Sequence, residues 1–196
     1  MSKIEQNREK KKQAILTSAK TIFLSEGYTS ASMDNIAADA QITKQTLYRY
    51  FPSKLQLFQA TLLQLGESYN CKYSEHLEVE STREAMIAFA IEFMTFHLSE
   101  EHIATHRLLI AEAVQAPELV KSFMDIGPDE TDSVLKKFFE ERFELTQPNS
   151  KIDLWLGMLL APRSSLLLGL PALSKIQIVQ HATEATDVIL ANMTKG

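Results

Sequence analysis

Apolar side chains recur along this sequence at intervals of three and four residues, the spacing that places them on one face of an α-helix. The first clear run, Ile15, Ala19, Ile22 and Phe23, stops at Gly27, a residue type that commonly ends helices. Alternating apolar and polar positions, which would indicate β-strands, are nearly absent. The pattern therefore predicts an all-α protein of about nine helices.

Capping residues and prolines mark where these helices begin and end. Ser32 and Thr43 are suited to cap two short helices, and Pro52 ends the second of them. Ser53 can then cap a long helix that reaches about residue 75. Further helix starts are expected at Ser81, Pro117, Pro128, Ser150 and Ser174, and the expected breaks lie near residues 27, 41, 52, 78, 99, 116, 127, 147 and 171.

Charge divides the chain into a basic N-terminal part and an acidic remainder. The net charge is -5, yet residues 1–54 carry nine basic and five acidic side chains, so this part is positive. Such asymmetry indicates a basic module that meets a polyanion. For the run Lys10–Lys12, a solvated tail is an equally good interpretation.

Composition and cysteine content favour a globular protein of the cytoplasm. The single cysteine, Cys71, cannot form an internal disulfide. The longest apolar run, 154–161, is far shorter than the roughly 20 residues of a membrane span, and no secretion signal is recognisable. We expect a cytoplasmic protein with no membrane partner.

Residues 32–51 form the part of the sequence that is most informative about function. They predict two short helices joined by a tight turn, the arrangement of a helix-turn-helix. On the second helix, Leu47 and Phe51 face a small core while hydroxyl, amide and cationic side chains remain exposed. Base edges and phosphates are bound by such groups, although a helical hairpin with a solvated polar face would have the same pattern.

The stretch 15–58 resembles the DNA-binding domain of the TetR family along its whole length. The residues that carry the resemblance are dispersed: Phe23, Gly27, Tyr28, Ser32, Met33, Ile36, Ala37, Thr46, Leu47, Tyr48, Tyr50, Phe51, Ser53 and Lys54. The resemblance implies a DNA-binding domain over residues 1–53 and a ligand-binding and dimerisation domain over residues 54–196. It also implies that the protein is a transcriptional regulator and not an enzyme.

By this resemblance, the second helix of the motif enters the major groove of DNA. Lys44 can donate to guanine and Gln45 can pair with adenine, and Gln45 stands where the family often has glycine. Arg49 suits either a base or a phosphate. The complete set of expected DNA contacts is Thr43, Lys44, Gln45 and Thr46 in the groove, Tyr48, Tyr50 and Lys54 on phosphates, Ser32 on the backbone, and Arg49.

Gln41 occupies the turn of the motif, where the family usually has glycine. If this turn needs a left-handed backbone, a residue with a side chain costs roughly 1–2 kcal/mol there. We therefore expect a local loss of stability at Gln41, but no change of fold.

The stretch 106–130 resembles the C-terminal domain of AefR-like members of the same family. The resemblance implies a homodimer held by the last two long helices, expected at about 150–169 and 174–193. A monomeric body that buries the same side chains internally would give the same pattern. The candidate interface residues are Leu159, Leu160, Leu166, Leu167, Ile178, Ala182, Ala185 and Ile189.

A pocket for a small hydrophobic effector is expected among the middle helices, because aromatic and methionine side chains are abundant there. The same residues at helical spacing also suit an ordinary core. The candidate ligand-binding residues are Tyr69, Phe89, Phe93, Met94, His97, Glu112, Phe123, Met124 and Trp155.

Other function classes have less support in the sequence. His102 and His106 are one helical turn apart and could chelate a metal, but the glutamate of a HEXXH motif is missing. No glycine-rich phosphate loop or paired nucleophile and base is recognisable, so we predict no cofactor, no metal and no catalysis. The leading prediction is a repressor that a hydrophobic effector releases from a palindromic operator. A metal-sensing regulator and an architectural DNA-binding protein without an effector remain alternatives.

Overall fold

The computed structural model of the 196-residue chain describes residues 2–68, 73–126 and 129–193. Every regular element in these ranges is a helix, which confirms the predicted all-α class. The chain forms two compact units, the first from Met1–Tyr69 with Thr105–Gly127 and the second from Asn70–Ala104 with Pro128–Gly196. In the described ranges, no helix combines the length and the apolar character needed to cross a membrane.

Twelve helices are present in the described ranges, and the seventh contributes residues to both units. They are α1 (Lys3–Glu26), α2 (Met33–Asp39), α3 (Lys44–Tyr50), α4 (Lys54–Ser68), α5 (Tyr73–His76), α6 (Thr82–His97), α7 (Glu100–Glu112), α8 (Pro117–Ile126), α9 (Asp129–Phe143), α10 (Asn149–Leu159), α11 (Arg163–Leu167) and α12 (Lys175–Ala191).

The first unit is held together by a hydrophobic core around α1. Helix α1 packs against α4 and α2, α2 packs against α3, and α4 packs against α8. In the centre, the rings of Phe23, Tyr28 and Phe58 have centroids 5.3–5.7 Å apart, a spacing typical of favourable aromatic pairs. Ile36 and Leu47 are fully buried and fix α2 and α3 on this core. The short helix α3 is thereby held in place by the core that α1, α2 and α4 share.

The second unit has an aromatic core of its own. Helix α6 packs against α12 and α5, while α10 packs against α12 and α9. Trp155 is fully buried, with ring centroids 5.4 Å from Phe89 and 5.9 Å from Phe139. Its indole N–H donates to the hydroxyl of Thr186 at 3.3 Å, which satisfies the polar group of the tryptophan inside the core.

Several predicted helix ends are confirmed, and some are wrong. Ser174 forms the expected capping box, and Ser81 caps α6. The single helix expected from 150 to 169 is instead α10 and α11, because Pro162 between them lacks the N–H that a continuous helix would need. Helix α10 starts at Asn149, within one residue of the expected start, but Ser150 does not cap it and no side-chain cap is present. Pro128 lies outside the described residues.

The long helix expected from Ser53 to about residue 75 falls partly on residues outside the described ranges. Helix α4 ends at Ser68 and α5 begins at Tyr73, with residues 69–72 between the described ranges. The division of 150–169 accounts for part of the difference between the nine or so helices that the pattern predicts and the number in the described ranges.

Candidate nucleic-acid interface

The two short helices α2 and α3 begin at the predicted capping residues. The hydroxyl of Ser32 accepts a hydrogen bond from the backbone N–H of Asn35 at 3.0 Å. The hydroxyl of Thr43 accepts one from the N–H of Thr46 at 3.2 Å. Each cap satisfies a backbone donor that the first turn of a helix leaves unpaired. Both helix starts of the motif are therefore fixed by side chains next to them in sequence.

The turn between α2 and α3 has a left-handed residue, the case in which a non-glycine side chain is costly. Gln41 has φ of 55°, and its N–H donates to the carbonyl of Ala38 at 3.1 Å. The next N–H, of Ile42, donates to the carbonyl of Ala37 at 3.0 Å. These two bonds define a Schellman motif, whose left-handed position usually holds glycine. Gln41 therefore carries the conformational cost predicted from the sequence.

Helix α3 has one buried side and one side that is available to a partner. Leu47 is fully buried, whereas Lys44, Gln45 and Arg49 are exposed. Tyr48 is 41% exposed, so its ring and hydroxyl are accessible to a partner. Thr43 is exposed as well, while Ser32, Thr46 and Tyr50 are partly buried. The residues expected to contact DNA are thus brought together along one short helix and at the start of α2.

Lys44 has an acidic neighbour that the sequence analysis missed. Its ammonium nitrogen lies 2.8 Å from one carboxylate oxygen of Asp34 and 2.9 Å from the other. Hydrogen bonding to Asp34 and the charge of that carboxylate raise the pKa of Lys44 above its ordinary value. Both side chains are exposed, so the pair is accessible to a competing anion. DNA that contacts Lys44 must compete with Asp34.

Lys54 directs its charge toward the loop between α1 and α2. Its ammonium group donates to the backbone carbonyls of Tyr28, Thr29 and Ala31 at 2.8, 3.2 and 3.0 Å. The same nitrogen lies 4.5 Å from the centroid of the Tyr28 ring, in cation–π geometry. An ammonium group has three N–H donors, so these bonds occupy all of them. A direct phosphate contact from Lys54, which stays a prediction, would require one of these bonds to be exchanged.

Glu112, at the end of α7, binds the same loop from the other side. One carboxylate oxygen accepts from the N–H of Thr29 at 3.0 Å, and the other accepts from the hydroxyl of Thr29. Burial alone would raise the pKa of Glu112, but the hydrogen bonds from Thr29 and from the Tyr28 backbone, together with the charge of Lys54, bring its pKa below the ordinary value. Glu112 is therefore an ionised group that holds the loop before α2 in place.

Gly27 is required where α1 meets this loop. It has φ of +83°, and a Cβ atom built on it would lie 2.9 Å from a carboxylate oxygen of Glu112. A side chain here would be strained and would displace the carboxylate. Gly27, one of the residues that carry the family resemblance, thus leaves room for the bond between Glu112 and Thr29.

The residues predicted to bind an effector are divided between the two units. In the second unit, the rings of Phe89 and Phe93 stack with centroids 5.5 Å apart, and Phe93 contacts the ring of His97 at 4.1 Å. Trp155 and Met94 are fully buried in the same cluster. These five residues therefore lie in one cluster. Such a cluster is equally consistent with an ordinary core and with the wall of a pocket.

The other predicted effector contacts lie in the first unit. Glu112 is bound to Thr29, Phe123 packs partly buried against the core of this unit, and Met124 is 65% exposed. Tyr69 lies outside the described residues. An effector role for these residues stays a prediction.

Several histidines contact another side chain in the described ranges. A ring nitrogen of His97 lies 3.2 Å from one of His102, and the ring of His106 meets that of Phe123 at 5.1 Å. His76 pairs with Glu92 at 2.6 Å. Within the described part of the chain, no three histidine, cysteine or acidic side chains are arranged to hold a metal ion together.

Five of the eight residues proposed for a dimer interface are buried within the chain itself. Leu159 and Ala182 are fully buried, and Ile189 is 4% exposed, so they contribute to the core of the second unit. Leu166 and Ala185 are buried in the same core, and the prediction that these five residues contact a partner is wrong. Helical spacing identified an apolar face correctly, but that face packs against the chain's own helices. The exposed apolar residues of this region are Leu154, Leu168, Leu170, Ile176, Val179 and Val188.

Two family models match the chain, and together they cover more than half of it. Residues 15–61 match the model of bacterial regulatory proteins of the tetR family. Residues 84–146 match the model of the C-terminal domain of AefR-like transcriptional repressors. The first match contains α2 and α3, so it includes the whole helix-turn-helix described above.

Curated relatives are similar in sequence to only part of this chain. A stretch of 55 residues is 40% identical to the HTH-type transcriptional activator FasR of Mycolicibacterium smegmatis, covering 28% of this chain and 25% of that protein. Another relative, the HTH-type transcriptional regulator UidR of Escherichia coli, is 35% identical over 78 residues, or 40% of each protein. The matches thus span less than half the length of these two regulators.

Solved structures resemble the chain over nearly its full length. A TetR-family transcriptional regulator from Mesorhizobium loti superposes with a TM-score of 0.81 at 24% identity, covering 94% of this chain and 96% of that one. The Flavonoid-responsive Regulator FrrA superposes with a TM-score of 0.74 at 27% identity, covering 94% and 97%. The fold is therefore shared well beyond the helix-turn-helix.

Proposed function

The chain belongs to the TetR family of bacterial transcriptional regulators, with an AefR-like C-terminal part, and from this premise we propose that it is a ligand-responsive repressor that binds a palindromic operator as a homodimer. The observation that carries the proposal is helix α3. Its buried Leu47 fixes it on the core, while Lys44, Gln45 and Tyr48 remain exposed on the opposite side. These side chains supply the donors and acceptors that base edges and phosphates require.

A second copy of the chain is the partner that best fits the exposed apolar side of α10 and α12. Ile176 is 80% exposed and Val179 is 45% exposed, one helical turn apart on α12. On α10, Leu154 is 58% exposed, and a Cβ atom added to Gly157 would meet nothing within 4 Å. Large exposed apolar side chains on neighbouring helices are typical of protein interfaces.

Arg163, at the start of α11, offers independent support for this interface. Its Nε atom is buried and has no hydrogen-bond acceptor in the described part of the chain, and burial lowers its pKa. An unpaired buried donor is costly. The side chain as a whole is only partly buried, so an acidic side chain of the second copy would pair with the outer N–H groups of the guanidinium.

The oligomeric state tests the homodimer. We expect the double substitution Ile176→Asp and Val179→Asp to produce a monomer in native mass spectrometry, because two buried carboxylates would oppose association. The matched control is Val79→Asp, which alters another exposed valine of the second unit and should leave the dimer intact. A dimer that survives both substitutions would place the interface elsewhere.

We propose that the effector is a small hydrophobic molecule. The cluster of Phe89, Phe93 and Trp155 supplies aromatic surface of the kind that hydrophobic ligands contact. FrrA, at 27% identity over most of both chains, is flavonoid-responsive by name, which supports a ligand-dependent role for this chain too. Native mass spectrometry of the purified protein will detect a small molecule that co-purifies with it.

DNA binding is tested by selecting bound sequences from a random DNA pool. A palindromic consensus is expected, because a two-fold dimer contacts two half-sites roughly 34–36 Å apart. Against the selected operator, Lys44→Ala should weaken binding and relax one base position, while Tyr48→Ala should weaken all sequences alike. The control Lys121→Ala removes an exposed charge from α8 of the same unit and should leave binding unchanged.

The same measurements separate this function from the alternatives. A repressor that senses a ligand must release its operator when the effector binds, and by linkage the operator must weaken effector binding equally. If the effector binds equally tightly with and without operator, the protein is not a ligand-responsive repressor. The result would then favour an architectural DNA-binding protein of the same fold. If the selection yields no palindromic consensus, dimeric operator recognition itself is refuted.

A further inference from the structure

The first three turns of α1 extend beyond the part of the chain that matches the family. The matched region begins at residue 15, whereas α1 begins at Lys3 with a capping box formed by Ser2 and Glu5. Burial also begins at Ile15, and residues 2–14 are all exposed. At a rise of 1.5 Å per residue, this basic extension, residues 3–14, projects about 18 Å beyond the core.

One side of the basic extension carries cationic side chains, and the two acidic side chains of the extension are bonded to other groups. Ile4, Asn7, Arg8 and Lys11 recur at helical spacing and therefore share one side of α1. The two acidic residues of the extension are engaged elsewhere: Glu5 accepts from the backbone N–H of Ser2 at 2.6 Å, and Glu9 accepts from the side chain of Gln13 at 2.8 Å.

That side of the extension meets the end of helix α3. Ile4, Asn7, Arg8 and Lys11 line a groove of about 520 Å³ together with Arg49 and Tyr50. The hydroxyl of Tyr50 donates to the backbone carbonyl of Arg8 at 3.4 Å, which links the two helices. The lining contains three cationic side chains and no carboxylate. The groove is therefore a positively charged continuation of the surface of α3.

We propose that this groove binds the phosphate backbone of the duplex beside each half-site, so that the basic extension of α1 is a second DNA-contacting element. The proposal rests on the proposed operator binding through α3. Guanidinium groups donate to phosphate oxygens in a fork geometry, and an ammonium group adds a point charge. Contacts of this kind raise affinity for every sequence equally and do not determine which bases are preferred.

The dependence of operator affinity on salt concentration tests the groove directly. Each phosphate neutralised by a cationic side chain contributes about 0.9 to the slope of log K against log salt. Because the dimer carries the groove at both half-sites, the double substitution Arg8→Gln and Lys11→Gln removes four cationic contacts, and it should lower the slope by about 3.6 and weaken binding roughly 300- to 1,000-fold near 0.15 M salt. The selected consensus sequence should stay the same.

The matched control is the double substitution Lys10→Gln and Lys12→Gln, which removes the same charge from the same helix but from residues outside the groove lining. A smaller change of slope in the control supports a specific groove. Equal changes in both pairs, or no change in either, would overturn the proposal.

The outcomes also distinguish this proposal from the function on which it rests. If Lys44→Ala weakens binding and alters base preference while Arg8→Gln with Lys11→Gln has no effect, operator binding stands and the groove is refuted. If the unaltered protein selects no sequence from the pool, operator binding itself fails. Circular dichroism should show unchanged helicity, because residues 8 and 11 lie outside the core.

Discussion

Replacing Glu112 with Gln tests the contact that holds the loop between α1 and α2. One carboxylate oxygen accepts from the N–H of Thr29, and the other accepts from its hydroxyl. An amide of the same size keeps one acceptor oxygen and presents an NH2 group to the remaining donor. At least one donor of Thr29 then loses its hydrogen bond to a charged acceptor, a bond of the kind that contributes about 1–3 kcal/mol to stability.

Hydrogen exchange of the Thr29 amide measures this cost where it arises. The N–H of Thr29 donates to Glu112 at 3.0 Å, so its exchange reports the opening of that bond. A loss of about 1–3 kcal/mol corresponds to exchange that is roughly 5- to 150-fold faster, since 1.4 kcal/mol is tenfold. The control Glu26→Gln neutralises an exposed carboxylate of the same unit and should leave this exchange rate unchanged.

The pH dependence of stability gives a second measurement on the same variant. Because the pKa of Glu112 lies below its ordinary value of 4.5, its stabilisation is complete above pH 4.5 and is lost as pH falls through the lowered pKa. The difference in unfolding free energy between the unaltered protein and Glu112→Gln should be constant near neutral pH and should shrink in acid.

A double-mutant cycle with Thr29→Val isolates the side-chain contact. Valine removes the hydroxyl while keeping the shape, and the coupling energy between positions 29 and 112 should be about 1.5 kcal/mol or more. If the Thr29 amide of the Glu112→Gln variant exchanges as slowly as in the unaltered protein, Glu112 does not hold this loop. A coupling energy of zero would show that the hydroxyl contact contributes nothing.

Three further substitutions test other parts of the molecule. Gln41→Gly should raise the unfolding free energy by up to about 1 kcal/mol in chemical denaturation, because glycine relieves the left-handed strain but also adds entropy to the unfolded chain; a loss of stability would contradict this. Thr186→Val should lower it by about 1–3 kcal/mol, because the buried indole N–H of Trp155 loses its acceptor; an unchanged midpoint in tryptophan fluorescence would contradict that. Asp34→Asn should tighten operator binding by up to about fivefold, because Lys44 no longer has a competing carboxylate; weaker binding would show that Asp34 positions Lys44 for DNA.

The sequence by itself determined the helical class and the helix-turn-helix, and it singled out Gln41 as the residue to check in the turn. Ser32, Thr43 and Gln41 could be interpreted directly because a cap or a turn is formed by residues within a few positions of each other. The exposed side of α3 was likewise evident, since the burial of Leu47 determines which of its neighbours face outward.

Tertiary structure decided the contacts between residues that are distant in sequence. Glu112 binds Thr29 across 83 positions, and no local pattern indicates that its carboxylate belongs to the loop of the DNA-binding module. Lys54 resembled a phosphate ligand, yet the carbonyls around the loop occupy its N–H donors. Long-range pairs depend on how the chain brings helices together, which helical spacing does not specify.

The same limit applies to the apolar side of α12. Ala182 and Ile189 recur at a spacing that suits either the chain's own core or a second copy, and only packing showed that they are buried internally. Ile176 and Val179 remained exposed on the same helix. Periodicity determines which residues share a face of a helix, but the element that covers this face is determined by the three-dimensional arrangement of all the helices.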